Sequence, residues 1–144
     1  MDVNASGPAL FHDLDQLLEA APLELGVTGW MEVDPAAVEG FRRATRSSSG
    51  VDGTVPPLML LSLTNRFLPD LLQVPGASSG VNYGADLVRF GPAARPGDHI
   101  RAGATLVSAV PAGVGVQTTV EIRIEVQGGD QPACTVHSLS RWMR

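Results

Sequence analysis

The chain has 144 residues and a formal net charge of -5, enough for one domain with a true core and too short for two ordinary ones. Its ten basic residues are all arginines and form no basic block, which argues against nucleic acid or an anionic membrane as a partner. The only cysteine is Cys134, so an intrachain disulfide and a cysteine-rich metal site are both excluded, and a small buried residue is the expectation there.

Residues 1–7 have neither a basic start nor a long apolar stretch, so no secretory or transmembrane signal is visible and a cytoplasmic location is expected. Leu10, Phe11, Leu14, Leu17 and Leu18 then fall on one stripe, which predicts an amphipathic helix over 8–20. Pro22 and Gly26 end it, and 28–33 reads as a short strand carrying Trp30. Asp34-Pro35 is a strong start signal for a second helix over 36–45, burying Val38 and Phe41, with Arg42 and Arg43 placed favourably near its C-terminal end. A polar, glycine-containing loop follows over 46–55.

The stretch 56–72 is the apolar centre of the sequence. Leu58, Met59, Leu60, Leu61 and Leu63 leave no polar face in its first turns, so the helix is expected to be buried all round. It is too short and too interrupted to span a bilayer. Pro57 suits the first helical position and Pro69 should end the helix about three turns on. Strands then follow in series. Residues 81–90 alternate, with Val81, Tyr83, Ala85 and Leu87 on one face; 95–98 has Pro and Gly placed for a type II turn; 100–110 is the next strand. From Val114 to Val126 every second residue is apolar or Thr, the clearest strand of the chain, and 132–143 is the last. Helices first and hairpin-linked strands afterwards predict an α+β fold, one antiparallel sheet around a central helix. The open edges of such a sheet predict a dimer or larger assembly.

Asn82-Tyr83-Gly84 with Arg89-Phe90, then Arg95-Pro96-Gly97-Asp98, Phe41-Arg42-Arg43-Ala44-Thr45 and Gln131-Pro132-Ala133-Cys134 together resemble the MaoC-like dehydratases of the hot-dog fold. The resemblance covers nearly the whole chain, so 1–144 is expected to be one hot-dog domain. It implies a homodimer, or a heteromer with a related hot-dog subunit, and a tunnel that takes an acyl thioester of coenzyme A or of an acyl carrier protein. It implies no resident cofactor. Such chemistry adds or removes water beside the thioester carbonyl, using a carboxylate and an imidazole on one water and amide donors where enolate charge develops.

The chain departs from the family where that chemistry sits. Arg46 replaces a glycine and Ser47 stands where the family has its Asp. The family's His-Gly at the start of the central helix corresponds to Pro56-Pro57, and proline has no N–H to offer the thioester oxygen. Asp52, between Ser47 and the helix, is the best acid/base candidate, with Tyr83 and His137 as further catalytic candidates. Asn82, Tyr83 and Gly84 are candidate substrate contacts on the strand that lines the family's tunnel, with Ser47 in the loop and Arg89 for a phosphate or carrier group. The alternatives for Tyr83 and Arg89 are a buried aromatic and an ion pair with Asp86. Ser47–Ser49 have no base fixed beside them, and three scattered histidines, His12, His99 and His137, give no metal site. Two readings stay open. One is a diverged enzyme performing dehydration, cyclisation or another proton transfer on an acyl or polyketide thioester with relocated residues. The other is a non-catalytic subunit that completes a composite tunnel with a family member carrying the Asp/His pair.

Overall fold

The computed structural model describes residues 7–47 and 53–144. Its elements in order are β1 (Ala9–Leu10), α1 (Leu14–Ala20), β2 (Leu23–Val27), β3 (Met31–Glu32), α2 (Pro35–Thr45), α3 (Pro57–Phe67), β4 (Leu72–Gln73), β5 (Ser79–Phe90), β6 (His99–Ala112), β7 (Gly115–Val126) and β8 (Cys134–Met143). The six-stranded sheet runs β2-β6-β7-β8-β5, with β3 also pairing β6, and every pairing in it is antiparallel. This is the α+β architecture expected, with α3 packed against the sheet.

β7 lies in the middle and alternates as its sequence predicts. Val116, Thr118, Val120, Ile122 and Ile124 are all at most 1% exposed, and the apolar members join Leu14, Leu17, Met59, Leu60 and Phe67 in one core. The other face is polar: Arg101 pairs with Glu125 at 2.8 Å and Arg123 with Glu121 at 2.6 Å. One face packed and one solvated is the usual arrangement for an antiparallel sheet. Val114 lies in the turn before β7 rather than in the strand, and is exposed.

Local chemistry sets the helix starts. Asp34 Oδ1 accepts the Ala36 N–H at 2.9 Å with Pro35 at the first position, which starts α2 where the sequence places it. The first helix begins later than expected. Asp13 caps it by accepting the Gln16 N–H at 2.7 Å, while Ala9 and Leu10 form a short parallel pairing with β4. Long-range pairing there overrides the helical stripe, and His12 precedes α1 instead of lying in it. The strand expected over 28–33 is reduced to Met31–Glu32. Its neighbour β2 runs through Gly26, whose positive φ of 86° sits at a bulge against β6, so a residue read as a breaker is part of a strand.

α3 begins at Pro57 and passes at Leu68 into a single 3-10 turn that carries Pro69, so the proline ends the α-helix where expected. The helix is not buried all round. Met59, Leu60, Thr64 and Phe67 are buried, but Leu58 is 61% exposed and Ser62 and Asn65 on its side are exposed too. The sheet of one chain reaches only one side of the helix.

β5 is the far edge of the sheet and is exposed along almost its whole length, Val81, Tyr83, Val88 and Phe90 included. Bulges between Asn82 and Gly84 and between Ala85 and Leu87 break its alternation. Tyr83 and Ala85 therefore do not share a face, and Tyr83 is not the buried aromatic that regular alternation offers.

Candidate active groove

The open side of α3 and the inner face of the β5-β8 edge enclose a groove of about 320 Å³. α3 contributes Leu61, Ser62, Thr64 and Asn65; β5 contributes Asn82, Gly84 and Ala85; β8 contributes Val136 and Ser138. Asn82 Nδ2 donates to Asn65 Oδ1 at 3.0 Å and so ties the edge strand to the helix. This bond leaves the Asn65 amide NH2 and the Asn82 carbonyl oxygen as spare donor and acceptor. The Ser62 and Thr64 hydroxyls donate to the helix carbonyls of Leu58 and Leu61, at 2.9 and 2.6 Å. Every side chain lining the groove is neutral.

The sheet separates the expected site residues. Asn82 and Gly84 lie in the groove. Tyr83 points to the outer face, 57% exposed, with the Arg141 guanidinium 4.0 Å from its ring centroid and Arg141 Nε bonded to Gln117. His137 is also on the outer face, its Nε2 3.0 Å from Glu121 Oε2. That carboxylate is held below its ordinary pKa, first by the hydrogen bond from Arg123 and then by His137. Arg89 is exposed and pairs in register with Thr135, next to the His137 row, and no ion pair joins it to Asp86 among the described residues. Ser47 lines a separate cleft of about 420 Å³ between α2 and the start of α3, shared with Glu39, Arg42 and Thr54. Asp52 lies outside the described residues.

Arg42 does more than meet a helix C-terminus: its guanidinium donates to the Thr54 carbonyl at 2.7 Å, tying α2 to the chain that enters α3. Arg46 adopts a left-handed conformation, φ 53°, while its N–H bonds the carbonyls of Arg42 and Arg43. A glycine would adopt this left-handed conformation without strain. At the start of α3, Pro57 brings no N–H, and the Met59 and Leu60 amides turn to the Pro56 carbonyl. Cys134 is fully buried, and burial pushes its thiol pKa up. Among the described residues no three metal-binding side chains converge.

Two groove residues, Asn65 and Ser138, were not singled out from the sequence. Ser138 could have been found from the period of β8. Cys134, Val136, Ser138 and Ser140 alternate with Thr135, His137 and Leu139, and the first set is the inner one.

No protein-family model matches the chain. A curated relative, 3-hydroxyacyl-thioester dehydratase Z of Mycobacterium tuberculosis, is 31% identical over 92% of this chain and 97% of its own. Among solved structures, the MaoC-like dehydratase from Rhodospirillum rubrum superposes with a TM-score of 0.64 at 17% identity, covering 92% of this chain and 97% of that one. A chain of the ChsH1-ChsH2 complex from Mycobacterium tuberculosis superposes at 0.61 with 20% identity, covering 85% and 97%. The dehydratase relative spans almost the full length of this chain and the fold agrees with the solved structures, so the chain belongs to the MaoC-like dehydratase family with the hot-dog fold.

Proposed function

We propose that the protein binds an acyl thioester, carried by coenzyme A or an acyl carrier protein, with the thioester towards the N-terminal end of α3 and the acyl chain along the groove to Asn65. The observation that carries this reading is the groove itself, open to one side of α3 and bounded by Asn82, Gly84 and Ser138, in a relative of a 3-hydroxyacyl-thioester dehydratase. The reaction class is that of a lyase acting by proton transfer, as dehydration or a cyclisation related to it. Removing water from a 3-hydroxyacyl thioester needs a base for the proton beside the carbonyl and an acid for the departing hydroxyl. The neutral groove supplies neither, so the proton carrier is Asp52 or a group from a second subunit.

A second subunit has an exposed apolar surface to bind. β5 is a twelve-residue edge with exposed Val81, Val88 and Phe90, and a long apolar edge invites pairing. Leu58 on α3 is a further exposed apolar side chain, 61% exposed. The neutral lining and Pro57 support the second reading, in which this chain shapes a composite tunnel for a catalytic relative; a two-component complex among the structural neighbours is consistent with it.

The two readings agree on one assay and separate in a second. The purified protein alone should not hydrate short enoyl-coenzyme A esters at rates typical of enzymes, roughly 1 to 1000 per second; turnover in that range would overturn the proposed loss of the family's acid/base pair. On the enzyme reading, Asp52→Asn lowers activity on the true substrate about 100-fold or more while the fold stays intact. On the subunit reading it leaves the rate of a reconstituted complex unchanged.

A further inference from the structure

Ser138 is a buried hydroxyl without a use inside the described protein. It is 5% exposed and lines the groove, yet its Oγ makes no hydrogen bond among the described residues. Thr64 in the same groove donates to Leu61, and Thr118 on the neighbouring strand accepts from Trp142 Nε1 at 3.0 Å; Ser140, 6% exposed, also makes no side-chain hydrogen bond among the described residues, but it does not line the groove. A buried hydroxyl left unpaired loses its hydration with no return, so native structures rarely keep one. Its neighbours in the groove are the Asn65–Asn82 pair, whose mutual bond leaves amide N–H donors and carbonyl acceptor capacity over, and the apolar Leu61, Ala85 and Val136. A lining that is mostly apolar, with a few placed neutral polar groups, suits a hydrocarbon chain bearing a neutral oxygen.

The place of that oxygen on the chain follows from the helix. Leu61 to Asn65 lie roughly 6 to 12 Å along α3 from Pro57, at about 1.5 Å per residue. An extended acyl chain entering at the N-terminal end of α3 reaches that zone well beyond its third carbon. We infer that Ser138, with the Asn65–Asn82 pair, is a specificity-determining cluster that selects acyl chains carrying a second hydroxyl or keto oxygen distal to the reacting carbons. The inference rests on the acyl-thioester reading above and adds to it the substrate class, an acyl chain oxygenated along its length.

The test uses the protein as purified and pantetheine thioesters, the portion common to coenzyme A and carrier-bound substrates. Decanoyl-pantetheine is compared by calorimetry with its 5-, 7- and 9-hydroxy counterparts. The wild type should bind at least one hydroxylated chain about tenfold more tightly than the plain chain, as one well-made neutral hydrogen bond allows. Ser138→Ala should abolish that preference and melt no lower than wild type, since it removes only an unpaired group. If the plain and hydroxylated chains bind wild type equally, or if Ser138→Ala keeps the preference, the inference is overturned and the acyl-thioester reading stands. If none of the thioesters binds, the acyl-thioester reading itself fails, and the inference with it. A wild type without the preference overturns the inference whether or not the alanine variant folds, and if it does misfold, Ser138→Cys, which keeps the side chain's shape and weakens its hydrogen bonding, should reduce the preference; a preference undiminished in that variant would overturn the inference too.

Discussion

Leu58 and Leu60 are two residues apart on α3 and face opposite ways, so changing each separates what the helix does for its own chain from what it does for an assembly. Leu60 is 2% exposed in the core with Met59 and Phe67. Leu60→Ala removes its packing and leaves a cavity, a loss of about 3 kcal/mol for such a site. For a chain of this size that lowers the melting midpoint by roughly 10 °C. Leu58 is 61% exposed, so Leu58→Asp should change the stability of the single chain by no more than about 0.5 kcal/mol. If a second subunit covers this flank, the same carboxylate is trapped in an apolar contact at a cost of about 3 kcal/mol, roughly a hundredfold weaker association. Thermal melting reads the first effect and sedimentation velocity across a dilution series reads the second. A Leu60→Ala protein that melts with wild type would refute the placement of α3 in the core. An assembly constant unmoved by Leu58→Asp would refute the open flank as a subunit interface, and a wild type that stays monomeric at micromolar concentration would refute the assembly altogether.

Val120→Asp places a carboxylate at a site 1% exposed, and a loss of several kcal/mol is expected; unchanged chemical denaturation would show that β7 does not face the core as described. Glu121 titrates below its ordinary value of 4.5 because Arg123 and His137 bond its charged form. Its contribution to stability is therefore complete above the unfolded carboxylate value and fades as pH falls through the lower folded one. Glu121→Gln should flatten the acid side of the stability curve below about pH 5, and acid unfolding identical to wild type would contradict the interaction. Arg46→Gly relieves a left-handed arginine at φ 53° and should stabilise the chain by about 1 kcal/mol; a lower midpoint in urea would mean that the arginine side chain matters more than its backbone.

The chain's architecture was legible because it is repeated along the sequence. Asp34-Pro35 starts α2 through a cap made by the adjacent residue, Pro69 ends α3, and the run from Val116 to Ile124 alternates without interruption. The family could be recognised for the same reason, since its motifs lie along continuous strands and turns. What required the tertiary structure was everything decided by a distant partner. β1 displaced the start of the predicted first helix because β4 offers it a pairing, and Gly26 stayed inside β2 because β6 accommodates a bulge. The candidate site divides for that reason too. Asn82 and Tyr83 are adjacent, yet one bonds Asn65 across the groove and the other lies against Arg141 on the outer face. Strand neighbours point to opposite sides, and two bulges in β5 alter that alternation where no sequence period marks them. Composition and period tell a residue how it must sit in its own strand; only the packing of α3 against the β5-β8 edge makes Asn82 and Ser138 neighbours in one groove.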